Sequence, residues 1–129
     1  MYELVVKRRF SAAHKVEGYP GNCSRLHGHN WTVVLRVVAA QLDEIGMAFD
    51  FRELKKILDG IVAQLDHTFL NDNPLLGGIN PTAENLARKI FELVAGRLPE
   101  GVKVSSVEVW ESDSSGARYF EPDTGAGQD

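Results

Sequence analysis

The 129-residue sequence holds a single cysteine, Cys23, so no disulfide can form within it. A lone thiol is either a small core residue or a reactive group, and it predicts a reducing, cytoplasmic setting. No run of about 18 apolar residues occurs, which argues against a membrane-spanning helix. The opening Met1-Tyr2-Glu3-Leu4 has neither the basic start nor the apolar middle of a secretory leader, so none is expected. Positive charge is in deficit: 14 Lys and Arg stand against 18 Asp and Glu, a net charge of −4. Phosphate backbones need a positive field, so no nucleic-acid partner is expected, although a local basic pocket is compatible with this total. There is also no internal repeat and no Gly-rich nucleotide fingerprint.

What remains is the composition of an ordinary globular chain, 43% hydrophobic and 25% charged. The length suits one domain, expected over residues 1–121, with a polar, Gly-rich tail at 122–129 expected to fray. Leu4 to Ala13 reads as a strand, with Leu4, Val6, Phe10, Ala12 and His14 on one face. Glu17 to Arg25 has turn composition. His29 to Ala40 reads as a second strand, with Trp31, Val33, Leu35 and Val37 on one face. From Phe51 to Leu65 the apolar spacing becomes helical, behind an Asp50/Glu53 pair resembling a capping box. Asp66 to Pro81 reads as a loop, and Thr82 caps a second helix through Leu86, Ile90 and Val94. Val102 to Glu111 and Ala117 to Glu121 read as a hairpin across a Ser/Gly turn. The order ββααββ predicts an α+β fold, an antiparallel sheet with two helices on one face. The open edges of such a sheet favour oligomerisation.

Chemistry concentrates around the four histidines. In His27-Gly28-His29 two imidazoles on an extended chain point to the same side, with Cβ atoms roughly 6–7 Å apart. His14, at the end of the neighbouring strand, can supply a third nitrogen. Three histidines leave a tetrahedral ion one free position, the arrangement of a catalytic zinc. The alternative is a chance surface pair. Cys23 lies four residues before His27, where a cation holds a thiol partly as thiolate; otherwise it is a small buried hydrophobe. Asp66 beside His67 suits an acid–base relay, or a solvated helix end. Glu111, at a strand end, can accept two parallel N–H bonds from a ring, or make a surface salt bridge.

These residues fall within longer stretches: F-S-A-A-H (10–14), C-S-R-L-H-G-H-N (23–30), F-D-F (49–51), L-D-H-T-F-L-N (65–71), N-P-T-A-E-N-L-A (80–87) and V-W-E (109–111). In these stretches the chain resembles the 6-pyruvoyl-tetrahydropterin synthase / 6-carboxy-tetrahydropterin synthase family. Trp31 is a departure, since Tyr or Phe is common after H-G-H-N. The resemblance implies the tunnelling fold (T-fold), in which ββααββ units join into an oligomeric barrel, a hexamer or tetramer with active sites between subunits. It implies zinc on His14, His27 and His29, proton transfer by Cys23, Asp66 and His67, and a pterin ring anchored by Glu111. The substrate it implies is 7,8-dihydroneopterin triphosphate. The spacing Cys-x3-His-Gly-His and the short loop after His14 resemble the bacterial carboxy branch, which releases acetaldehyde and triphosphate and feeds queuosine synthesis. The pyruvoyl branch, eliminating triphosphate only, is the alternative. A non-catalytic zinc- or pterin-binding module is the alternative of another class. Lys7, Arg8, Arg9, Lys15 and Arg25 are candidates for the triphosphate.

Overall fold

The computed structural model describes residues 1–21 and 25–122. Cys23, and the expected tail from residue 123 onward, lie outside the described residues. Two long strands open the fold, β1 (Tyr2–His14) and β2 (His27–Ala39), paired antiparallel from Tyr2↔Ala39 to His14↔His27. Each carries an alternating apolar pattern, and the predicted inner face is the buried one: Val6, Phe10, Ala12, Trp31, Val33, Leu35 and Val37. β2 begins at His27, two residues earlier than its apolar run suggests, because the H-G-H segment pairs with the end of β1.

Helix α1 (Phe51–Leu65) follows, capped by Asp50, whose carboxylate accepts the Arg52 N–H at 2.8 Å. The capping box predicted a bond to the Glu53 N–H; the Asp50 carboxylate instead closes a turn onto the second residue beyond it. Helix α2 (Ala83–Ala95) is capped as expected, the Thr82 hydroxyl accepting the Asn85 N–H at 3.1 Å. Both helices lie on one face of the sheet. Leu54, Leu58, Ile61 and Leu65 of α1 and Leu86, Ile90 and Val94 of α2 are fully or almost fully buried in the same core as Val33 and Leu35. Burying such a side chain contributes about 1.5–3 kcal/mol, so this face carries most of the folding drive.

The sheet is mixed rather than wholly antiparallel. A two-residue strand, β3 (Thr68–Phe69), runs parallel to β1 at Ala12 and Ala13, inside the segment read as loop. β4 (Val102–Trp110) and β5 (Gly116–Tyr119) complete the order β3-β1-β2-β4-β5. The β2–β4 register slips between Arg36 and Val37, leaving Ser105 as an extra residue in β4, a bulge. Because β3 is so short, the outer edge of β1 before Ala12 has no strand partner among the described residues. No helix among them is long and apolar enough to cross a membrane.

Candidate metal centre and active site

The long β1–β2 ladder ends where the chemistry begins. Its register sets His14 opposite His27 and Ala12 opposite His29. Alternate residues share a face, so all three imidazoles leave the sheet on the helix-covered side, just beyond Phe10 and Trp31. Their rings meet edge-on, with centroids 4.5 Å apart for His14–His27 and 4.7 Å for His27–His29. One nitrogen from each lies within 4.8 Å of the others, so the three form a group able to hold a metal ion.

The protonation pattern fits a cation. His14 Nδ1 lies 2.7 Å from the Pro81 carbonyl oxygen, and His27 Nδ1 lies 2.7 Å from that of Arg25. A carbonyl only accepts, so each Nδ1 carries a proton, and on a neutral ring Nε2 then presents a lone pair. Those two Nε2 atoms face each other at 3.0 Å, close enough to share one cation. His29 Nε2 is buried without any hydrogen-bond partner. Burial pushes both His14 and His29 below the ordinary histidine value, which keeps them neutral, the form that ligates metal.

Trp31 forms the floor. It is fully buried, its Nε1–H donates to the Ala12 carbonyl at 3.2 Å, and its ring stands edge-on to His14 and His29. The larger indole in place of Tyr or Phe is therefore accommodated directly beneath two of the three histidines.

Glu111 follows β4, and its N–H donates to the Ser115 carbonyl at 3.0 Å, closing the turn into β5. Its Oε2 lies 3.8 Å from His29 Nε2, beyond hydrogen-bond reach, which leaves the carboxylate available to a ligand. Glu111 and His14 line one cleft of about 320 Å³, shared with Tyr19, Thr82, Glu84 and Gly116. Gly116 is there for room. A Cβ added to it would lie 2.8 Å from two carbons of the Trp110 side chain and closer still to a third. Trp110 is itself held by a 2.8 Å bond from its Nε1–H to Glu108. Gly116→Ala should therefore lower stability by about 1–3 kcal/mol, read by thermal unfolding.

Asp66 and His67 are brought to each other and stand outside the three-histidine group, although His67 and His29 line one hollow. The Asp66 carboxylate accepts the Ser11 N–H at 2.8 Å through one oxygen, and the other lies 3.0 Å from His67 Nδ1. The Ser11 bond and then the His67 bond hold the Asp66 carboxyl below the usual aspartate value, so it is anionic and fixes the ring. His67 adopts a left-handed backbone, φ 59°, and its N–H donates to the Ser11 carbonyl at 2.6 Å. A left-handed non-glycine residue costs of order 1 kcal/mol or more, a strain that clusters at functional positions. The His67 side chain is 82% exposed. It borders a second concavity, of about 550 Å³, with Ser11, Ala13, Gly28, His29 and Asn30. Ser11, Ala13 and Asn30 have the opposite parity to His14 and His29, so this hollow opens largely on the other side of the strands. Among the candidate cations, Arg8 is committed to Asp59 of α1, with Nε 2.6 Å from a carboxylate oxygen.

A family model described as 6-pyruvoyl tetrahydropterin synthase matches residues 3–122. The chain belongs to that family. Within and around the 6-pyruvoyl tetrahydropterin synthase family, one relative is the 6-carboxy-5,6,7,8-tetrahydropterin synthase of Synechocystis sp., 42% identical over 95% of both chains. Another is the dihydroneopterin monophosphate aldolase of Pyrococcus furiosus, 36% identical over 88% of this chain and 92% of the relative. The fold matches the 6-pyruvoyl tetrahydropterin synthase of Caenorhabditis elegans with a TM-score of 0.78 at 24% identity, covering 95% of this chain and 98% of that one.

Three contributors to the site carry no role in the sequence reading: the floor residue Trp31, the Pro81 carbonyl and Gly116. An Asn-Pro step ahead of the Thr82 helix cap is a turn signal, and that signal was the available pointer to Pro81.

Proposed function

We propose that this chain is a zinc-dependent lyase of the cytoplasm. It converts 7,8-dihydroneopterin triphosphate and water to 6-carboxy-5,6,7,8-tetrahydropterin, acetaldehyde and triphosphate, in the synthesis of a queuosine precursor. The observation that carries the reading is the convergence of three imidazoles beside the Glu111 carboxylate. The Synechocystis relative, similar over nearly the whole chain, supports the carboxy product.

His14, His27 and His29 hold the metal. A cluster of nitrogen donors without thiolate suits zinc, and three protein ligands is the count of a catalytic rather than a structural site. When bound, the ion supplies Lewis acidity that makes protons near the substrate's side-chain hydroxyls easier to remove. Glu111 accepts two adjacent N–H groups of the pterin and fixes its orientation in the cleft. Cys23, as thiolate, and His67, oriented by Asp66, take and return protons at the side chain, so that the ring is reduced at the side chain's expense without a nicotinamide. The exposed His67 and the unpaired edge of β1 support a homo-oligomer in which Asp66 and His67 of one copy serve the metal centre of another.

The Pyrococcus furiosus relative favours one second reading, aldol cleavage of a dihydroneopterin monophosphate. Product analysis decides. Purified protein loaded with zinc should turn dihydroneopterin triphosphate into a 6-carboxy product and acetaldehyde, identified by mass. A 6-pyruvoyl product would assign the pyruvoyl reaction, cleavage of the monophosphate alone would assign the aldolase, and no turnover of either would leave a binding module.

A further inference from the structure

Beyond β1 the segment 15–17 has no strand partner among the described residues, yet it does not wander. Two side-chain carboxamides take the place of strand partners. Asn71 accepts the Lys15 N–H at 2.9 Å through Oδ1 and donates its Nδ2 to the Lys15 carbonyl at 2.8 Å. Asn80 repeats the arrangement two residues on, accepting the Glu17 N–H at 2.9 Å and donating to the Glu17 carbonyl at 3.0 Å. Each carboxamide thus mimics a peptide group across a ladder, making both bonds a neighbouring strand would make.

The two clamps differ in what they are attached to. Asn71 belongs to the short turn Leu70–Asp72 after β3. Asn80 immediately precedes Pro81, whose carbonyl is the acceptor for His14 Nδ1 at 2.7 Å. The Asn80 main chain is itself pinned: its carbonyl accepts the Thr82 N–H at 2.8 Å and the Asn85 Nδ2 at 2.9 Å. The path is therefore continuous, from the Glu17 peptide through the Asn80 carboxamide to the Asn80–Thr82 turn, and from the Pro81 carbonyl to the His14 ring. Proline cannot donate an N–H, so no main-chain bond from residue 81 itself holds this carbonyl in place.

We propose that Asn80 is a positioning residue for the metal centre: its two bonds to Glu17 hold the Pro81 carbonyl where it keeps His14 protonated at Nδ1 and presents Nε2 to the ion. The inference rests on the metal-binding reading of the three histidines. Loosening the clamp lets the carbonyl drift and the imidazole rotate or exchange tautomer, and such outer contacts typically alter metal affinity 10- to 100-fold.

The test is zinc affinity, measured by competition with a chromophoric chelator, for wild type, Asn80→Ala, Asn80→Asp and Val94→Ala. Asn80→Asp keeps the acceptor for the Glu17 N–H but sets a carboxylate oxygen against the Glu17 carbonyl. It carries the test where Asn80→Ala fails to fold. Val94 is fully buried toward the end of α2 and sits outside the histidine site, so its truncation lowers stability without touching the clamp. The expected result is zinc binding about 10-fold or more weaker in the Asn80 variants, and within about twofold of wild type in Val94→Ala. Asn80 variants that bind as tightly as wild type, or a Val94→Ala loss equal to theirs, would overturn the proposal. Wild type that binds no zinc would overturn the metal reading itself.

Discussion

Replacing His29 by alanine should remove the metal and with it at least about 10³-fold of the turnover, while the protein keeps its fold. The expectation follows from what His29 does not do. Its Nε2 is buried yet bonded to nothing, and its one charged neighbour, Glu111, stands 3.8 Å away. Truncation therefore breaks no hydrogen bond and even relieves an uncompensated polar atom. His14 is a poorer target, because it is 1% exposed, bonded to Pro81 and packed on Trp31, so its loss would cost stability as well. Lewis acidity is worth several kcal/mol of barrier, and each 1.36 kcal/mol is tenfold, which gives the expected size. Metal content by elemental analysis, melting temperature and initial rate together make the measurement. A His29→Ala protein that retains stoichiometric zinc would remove His29 from the ligand set.

The second large effect is expected from His67. His67→Ala should lower kcat by about 10²–10⁴-fold, the range for losing a general acid–base, with zinc content unchanged. The pair of variants then permits a sharper measurement. If the ion and His67 come from different copies, mixed oligomers of His29→Ala and His67→Ala contain some sites built from two intact halves. Random equal mixing makes about a quarter of the sites whole. Activity recovered on co-refolding the two inactive proteins is the expected outcome. A mixture as inactive as its components would put both halves on one chain.

Most of the helical layer and the strand faces were legible, because periodicity and burial are the same fact seen twice. The face of Trp31, Val33, Leu35 and Val37 and the stripe of Leu54, Leu58, Ile61 and Leu65 were read from spacing and are buried as read. The three-histidine cluster was legible for a related reason: H-G-H on an extended segment puts both rings on one face, and His14 lies in register across the ladder. β3 was not legible. Two residues carry no pattern, and the strand exists only because the Asp66–Thr68 segment returns beside Ser11, more than fifty positions away in the chain. The roles of Pro81 and Asn80 were hidden for the same reason, since each acts through a main-chain group or a long-range carboxamide bond. The capping of α1 was right in place and wrong by one residue in partner, since an N-cap oxygen can accept from either the second or the third residue of the helix.

The atoms that orient His14 and His27 are both peptide oxygens, of Pro81 and Arg25. Every amino acid has one, so no point substitution at either position deletes the acceptor. The orientation of these two rings is thereby buffered against changes of side-chain identity there and exposed to changes in loop length: a residue inserted or removed between His14 and His27, or ahead of Pro81, shifts an oxygen that no replacement side chain can restore. For anyone reshaping this centre, the tunable variable is the path of the loops.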